Sequence, residues 1–367
     1  MSSDTTALKK HSCAACGAQA EWNPSKRALI CPYCGTVSPA ELETDSGLIQ
    51  EHDLVEALRD LPNDKRGWLT DRRTVKCQSC KAVSVFDSTR VGQNCDFCGS
   101  PELVDYDEIK APVRPESLLP FKVDKERVHN IIKHWLGKRW LAPNALKRRS
   151  LVDTVIGVYI PYWTFDSKVY CPWTAESGDY YYTTETYRDS NGNRRTRQVR
   201  HTRWYNSSGS IRHIFDDVLI TGTHVVDPRY LPKIEPFPTT ELVPYDTGYL
   251  SGWIVEHYQV VLLEAAKAAR AKKDAFVKGL CAREVPGDTY RRLKIFPDYS
   301  EPTFKHILVP VWILNYDYGR SRHQVLINGY TGRLAGSYPK SAWKIFFLTL
   351  AIILAVALFI FLANMNA

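Results

Sequence analysis

The sequence predicts an α+β fold: two N-terminal zinc ribbons, a duplicated helix-plus-antiparallel-meander core, and a single C-terminal transmembrane helix. Three observations carry this expectation: a matched pair of cysteine quartets, a repeated order of helix and strand in mid-chain, and one long apolar run near the end.

Cys13, Cys16, Cys31 and Cys34 form the first quartet; Cys77, Cys80, Cys95 and Cys98 form the second. Each reads C-x2-C, fourteen intervening residues, C-x2-C, and the second repeats the first 64 residues later. Four thiolates on two short knuckles suit tetrahedral Zn2+ with sulfur distances of about 2.3 Å. Two Zn2+ ions are therefore expected, with all eight cysteines as ligands. A shell closed by four thiolates leaves no position for catalytic water, so the metal reads as structural. Three knuckles continue into glycine (CAACG, CPYCG, CDFCG), which relieves crowding where N–H groups turn toward the sulfurs. Cys77-Gln78-Ser79-Cys80-Lys81 lacks that glycine. A redox C-x-x-C reading fits less well, since such motifs come singly on a βαβ background. Cys171 and Cys281 stand far apart with no obvious partner and read as buried structural thiols.

Boundaries follow from composition. Residues 1–45 form the first ribbon, and 46–70 a linker helix with the apolar stripe Ile49, Leu54, Val55, Leu58 and Leu61. Residues 71–105 form the second ribbon and 106–118 a proline-containing linker. Two α+β units are expected over 119–240 and 241–340. In the first, a helix from Lys125 to Trp140 precedes a strand from Gly157 to Phe165; in the second, a helix from Ile254 to Lys278 precedes a strand from Ile307 to Leu314. Both strands carry apolar-Pro-apolar-Trp, and proline within a strand suggests an edge or a bulge. The first unit adds a hairpin: Tyr180 to Arg188, a turn at Asp189-Ser190-Asn191-Gly192-Asn193, and a return strand to Tyr205. Arg195, Arg197, His201 and Arg203 share one face of that return; Arg194 and Arg200 lie on the other. The five arginines read as a contact for anionic lipid or an acidic partner, against the plainer reading of a solvated arm. Nucleic acid, with the tyrosines as stacking platforms, is a third reading.

Ile345 to Ala363 has only Thr349 as a polar residue, a length that suits a membrane span. A transmembrane helix over 343–363 is expected, with Trp343, Lys340 and Lys344 at the membrane interface. The basic flank then places residues 1–340 in the cytoplasm as a tail-anchored, single-pass protein. Zinc thiolates also call for a reducing compartment.

The net charge of +8 is unevenly divided. Residues 1–110 hold 13 Lys/Arg and 17 Asp/Glu, a balance of −4, while residues 111–367 hold 35 and 23, a balance of +12. Each tetrathiolate zinc site adds about −2 to the ribbons. A nucleic-acid ribbon normally needs a basic footprint, which this one lacks. The chain has no G-x-x-x-x-G-K-[ST] loop, no H-E-x-x-H and no G-x-S-x-G elbow. No enzyme and no catalytic residue are expected.

Together the ribbons, the strings YIPYWTFD, LVPVW and INGYTGRLAG, and the C-terminal run resemble the YdjG-like membrane-anchored double zinc-ribbon proteins of bacteria. That family is associated with phage-shock and SPFH (flotillin-like) envelope-stress systems, and its members are often labelled primosomal or replication helicase-like. The resemblance implies a non-enzymatic, inner-membrane-anchored scaffold or adaptor that recruits cytosolic stress proteins of the PspA-like or SPFH type. The alternative is a membrane-tethered nucleic-acid-binding ribbon protein that is not a helicase. A third hypothesis, an unrecognised enzyme in the tyrosine-rich core, would need a deep pocket with convergent titratable groups.

Overall fold

The computed structural model describes residues 11–37, 49–59, 72–87, 95, 97, 100, 102–105, 113–144, 146, 155–188, 190, 193–319 and 321–365, with backbone alone at 59, 72–74, 84–87, 105 and 359–365. β1 (Glu21–Asn23) and β2 (Ala28–Ile30) form the hairpin of the first ribbon. β3 (His52–Asp53) and α1 (Leu54–Arg59) follow. β4 (Arg72–Cys77), β5 (Val83–Asp87) and β6 (Leu103–Asp105) form the sheet of the second ribbon, in the order β5-β4-β6. Leu61 of the expected linker stripe lies outside the described residues.

The core begins inside the expected linker. β7 (Ser117–Leu118) is fully buried and pairs in parallel with residues 307–308. α2 (Lys125–Gly137) is capped by Asp124, whose Oδ1 accepts the Arg127 N–H at 2.7 Å. It buries Val128, Ile132 and Leu136, one stripe at four-residue spacing. β8 (Val155–Arg188) and β9 (Arg194–Phe215) make one long antiparallel hairpin, with Arg188 opposite Arg194 and Ser167 opposite Phe215. β10 (Ile220–Thr221), α3 (Leu231–Ile234), β11 (Val243–Pro244) and β12 (Ile254–Val255) are short. α4 (Leu262–Glu284), β13 (Thr289–Ile295), β14 (Asp298–Tyr318), β15 (Ser321–Asn328), β16 (Leu334–Gly336) and α5 (Ala342–Met365) complete the chain.

Two features of the expected fold are corrected. Strands make up 43% of the described residues and helices 25%, so the architecture is mainly β rather than α+β. The two helix-then-strand passages are also not separate meanders. β14 runs antiparallel to β8, from Asp298 opposite Tyr170 to Leu314 opposite Val155, within one 11-stranded sheet. The reason lies in residues 155–163 and 307–314, which are apolar on both alternations. Such runs need cover on both faces and therefore take central positions. Pro161 and Pro310 are accordingly interior, and their carbonyls accept N–H groups from Gly222 and Gly329 at 2.8 Å each. The helix expected from Ile254 starts at Leu262, because Ile254–Val255 is used as a strand parallel to β8.

Residues opposite one another on β8 and β14 share a face. Val158, Ile160, Ile307, Val309, Val311 and Ile313 face the second ribbon and α3. Val155, Tyr159, Leu308, Trp312 and Leu314 face α2 and the first ribbon. Further along that second face, α1 and the start of α4 cover Trp163, Phe165 and Phe304, and the end of α4 covers Val169, Cys171, Trp173 and Phe215.

The expected transmembrane helix and inner-membrane location are corrected as well. Among the described residues, no helix is long and apolar enough to cross a membrane. Lys344 Nζ donates to the carbonyls of Trp140 and Ala142, both at 2.8 Å, and to Asn144 Oδ1 at 2.9 Å. Trp343 stacks on Phe347 at 5.4 Å, and Lys340 is exposed.

Candidate metal centres

Three of the cysteine knuckles are built by the same two backbone hydrogen bonds, and the Cys95 knuckle shows the first of them. Cys13, Cys31, Cys77 and Cys95 donate their N–H to the carbonyls of Ala18, Thr36, Ala82 and Ser100, five residues on, at 2.7 to 3.0 Å. Gly17, Gly35 and Lys81 donate back to the carbonyls of Cys13, Cys31 and Cys77 at 2.8, 3.0 and 2.9 Å. The return demands a left-handed residue: φ is +73° at Gly17, +72° at Gly35 and +65° at Lys81. The missing glycine after Cys80 therefore changes the residue and not the turn.

These turns gather the sulfurs of Cys13, Cys16, Cys31 and Cys34 within 4.8 Å of one another. Cys13 and Cys34 lie 3.5 Å apart, as do Cys16 and Cys31. A tetrahedron of thiolates at 2.3 Å from one ion has edges of roughly 3.8 Å, so this set fits. Cys13 and Cys31 are buried, while Cys16 and Cys34 are exposed. Cys34 Sγ lies 3.2 Å from Thr36 Oγ1, and this hydroxyl, with the Thr36 backbone, brings the Cys34 thiol down to about 6. That favours the thiolate a metal requires. In the second ribbon Cys77, Cys80 and Cys95 cluster in the same way, with Cys80 and Cys95 3.5 Å apart. Cys98 lies outside the described residues. Both clusters could hold a metal ion.

Neither ribbon is a loose appendage. Trp22 is buried against the core, its Nε1 donating to the Phe121 carbonyl at 3.2 Å and its ring meeting Tyr249 edge-on at 4.7 Å. Ser251 Oγ donates to the Ala20 carbonyl at 2.6 Å. Gly252 (φ +83°) is required here, because a Cβ would lie 2.8 Å from the Glu21 side chain. On the opposite face, Asn315 Nδ2 donates to the Phe97 carbonyl at 2.8 Å and the His257 N–H to the Val83 carbonyl at 3.2 Å.

Beside the second cluster sits Glu256, fully buried, its Oε1 held by Thr223 Oγ1 at 2.6 Å and Gln259 Nε2 at 2.9 Å. Burial, opposed by the Thr223 hydrogen bond and reinforced by Cys95, pushes its carboxyl up to about 8, so it is mainly protonated at neutral pH. Asp166, Asp216 and Asp217 also cluster closely enough to hold an ion. Lys305 already supplies a cation there, its Nζ 2.9 Å from Asp217 Oδ1 and 3.2 Å from Glu51 Oε1. Burial opposes the ammonium, but Asp217 and Glu51 outweigh it and hold its pKa above the ordinary value. Sequence reading singles out Glu256-His257 only as an incomplete metal motif and Asp216-Asp217 only as a lone acidic pair; it missed Lys305 and the approach of Asp166 to that pair. Single polar residues inside apolar strands carry no periodic signal.

The arginine hairpin projects from the end of the sheet, with residues 181–188 all exposed. Arg200 lies over Tyr180 at 4.3 Å, Arg203 over Tyr181 at 5.7 Å and Arg197 over Tyr187 at 5.7 Å, while Arg197 pairs with Glu185 at 3.0 Å. Arg194 and Arg195 are exposed near the tip, where Asp189, Asn191 and Gly192 lie outside the described residues.

The chain is similar to the uncharacterized protein YdjG of Bacillus subtilis (strain 168), with 23% identity over 248 residues that cover 65% of this chain and 68% of that one. No protein-family model matches the chain, and no solved structure does.

Proposed function

We propose that this protein is a non-enzymatic zinc-ribbon scaffold that recruits partner proteins. Zn2+ is the metal best suited to Cys13, Cys16, Cys31, Cys34 and to Cys77, Cys80, Cys95, Cys98, because soft thiolates in a tetrahedral set select it over magnesium or calcium. Four thiolates also complete its shell, which makes each ion a fold-holding centre.

The observation that carries the recruiting role is the hairpin beyond Tyr180. Nine residues per strand extend it by about 30 Å. Stacking on tyrosines holds Arg197, Arg200 and Arg203 along it. Such a rigid basic arm suits an acidic protein surface, and stress proteins of the PspA-like or SPFH type are the candidates that the family resemblance supplies. The test is co-purification with such a protein after nuclease treatment, using the native chain and an Arg195→Glu/Arg200→Glu variant. Recovery by the native chain and loss by the variant is the expected result. Salt-sensitive binding of single-stranded nucleic acid, with no protein retained, would move the assignment to a nucleic-acid-binding ribbon protein.

A further inference from the structure

Cys171 and Cys281 are 110 residues apart in sequence, yet their sulfurs lie 3.8 Å from one another. Both residues are fully buried. Cys171 faces inward from β8 with Val169, Trp173 and Ala175. Cys281 ends the buried stripe of α4 that runs through Ala269, Lys273 and Val277 at four-residue spacing. Among the described residues, no third ligating side chain joins the pair. It is a dithiol in sulfur–sulfur contact, and the sulfurs must approach from there to the roughly 2.05 Å of a disulfide.

We propose that Cys171 and Cys281 form an oxidisable dithiol site that closes to a disulfide on reaction with a low-molecular-weight disulfide, fixing α4 to the root of the long hairpin. The thiolate first reached attacks one sulfur of RS–SR, forms a mixed disulfide and releases RS−. The second protein thiolate attacks the protein sulfur of that mixed disulfide, forms the Cys171–Cys281 bond and releases a second RS−. The two thiol protons leave with the products, so one RS–SR becomes two RSH. Burial, with the neighbouring sulfur, pushes the Cys281 thiol up to about 12. Reaction therefore waits on local opening of α4, and it is slow compared with reaction at the exposed Cys16 and Cys34 of a metal-free ribbon.

The position gives the bond a consequence. β13 lines β8 from Trp173 to Gly178, and beyond it the hairpin continues as the exposed arm. A bond at Cys171 would anchor that arm at its base.

The experiment uses the zinc-loaded full chain incubated with oxidised glutathione, with released zinc followed by a colorimetric chelator. Thiols are then alkylated in denaturant and the unreduced digest is mapped by mass spectrometry. Expected are a peptide joining Cys171 to Cys281, loss of two of the ten thiols with zinc retained, and a Tm raised by several degrees. Cys171→Ser and Cys281→Ser should abolish the cross-link and the Tm shift. The proposal is overturned if both cysteines are recovered alkylated, or only as glutathione adducts, after an incubation many times longer than the one that oxidises the ribbons of a chelator-stripped control. The wild-type peptide map decides this even if a serine variant fails to fold.

Discussion

Lys81 occupies a left-handed backbone position that the equivalent knuckles give to Gly17 and Gly35. A residue with a Cβ meets its own carbonyl there at a cost of roughly 1–2 kcal/mol. Lys81→Gly is therefore expected to stabilise the second ribbon by about 1 kcal/mol, read as a higher chelator concentration at half-release of zinc. An unchanged midpoint would show that the Lys81 side chain offsets the strain.

His306 is a second residue whose role only the fold reveals. Its Nδ1 donates to the Val113 carbonyl at 2.9 Å, its ring stacks on Trp163 at 4.8 Å, and burial pushes its pKa down to about 3. The folded state thus holds it neutral, while the unfolded chain takes up a proton near pH 6.5. Stability present above pH 6.5 is lost as pH falls from there toward 3. Between pH 7.5 and 5.5, with zinc in excess, His306→Gln should lose about 1.4 kcal/mol less stability than the native chain in denaturant titrations. Equal losses would place the acid sensitivity elsewhere.

At the scale of elements, the hairpin separates folding from recruitment. Its exposed strands make no core cluster beyond Ala175 and Ile211. The Arg197–Glu185 pair is exposed at both ends, so its contribution is no more than about 1 kcal/mol. Arg195→Glu/Arg200→Glu should change unfolding free energy by less than about 0.5 kcal/mol per site, while binding to an acidic partner falls. A large drop in stability would mean that the arm packs on the body. α5 teaches a different lesson about elements. Its apolar composition was plain in sequence, but its first turn is fastened to the loop after α2 through Lys344 and the Ser341 N–H, which reaches the Leu141 carbonyl at 2.8 Å.

At the scale of the molecule, the ribbons are parts of the core. Trp22 belongs to the first ribbon's hairpin and to the cluster containing Tyr159 and Trp312. Removing zinc should therefore do more than unfold residues 11–37. Chelation is expected to shift tryptophan emission to longer wavelength and to open the core to protease, and zinc should restore both. Trp22→Ala should cost about 3–5 kcal/mol of stability while leaving the four sulfurs of its ribbon intact. Retained stability would mean that the ribbon sits on the core without supporting it.

Much of the local structure was legible in the sequence, for reasons that are local. C-x2-C spacing fixes a knuckle because its hydrogen bonds close within five residues. The four-residue stripe of α2 and the tyrosine–threonine alternation of the hairpin are periodic signals of the same kind. Pairing between distant segments was not legible. Val155 to Phe165 and Phe304 to Leu314 each announce a buried strand, but nothing in either says that the other is its neighbour. The sequence by itself determined the knuckles, the helices' apolar faces and the charge of the arm, because these depend on contacts within a few residues. Only the tertiary structure decided that the repeated strands join one sheet, that Trp22 and Phe97 cover its opposite faces, and that Cys171 meets Cys281. Each of those contacts spans many tens of residues or more, and it is selected by mutual burial and not by spacing.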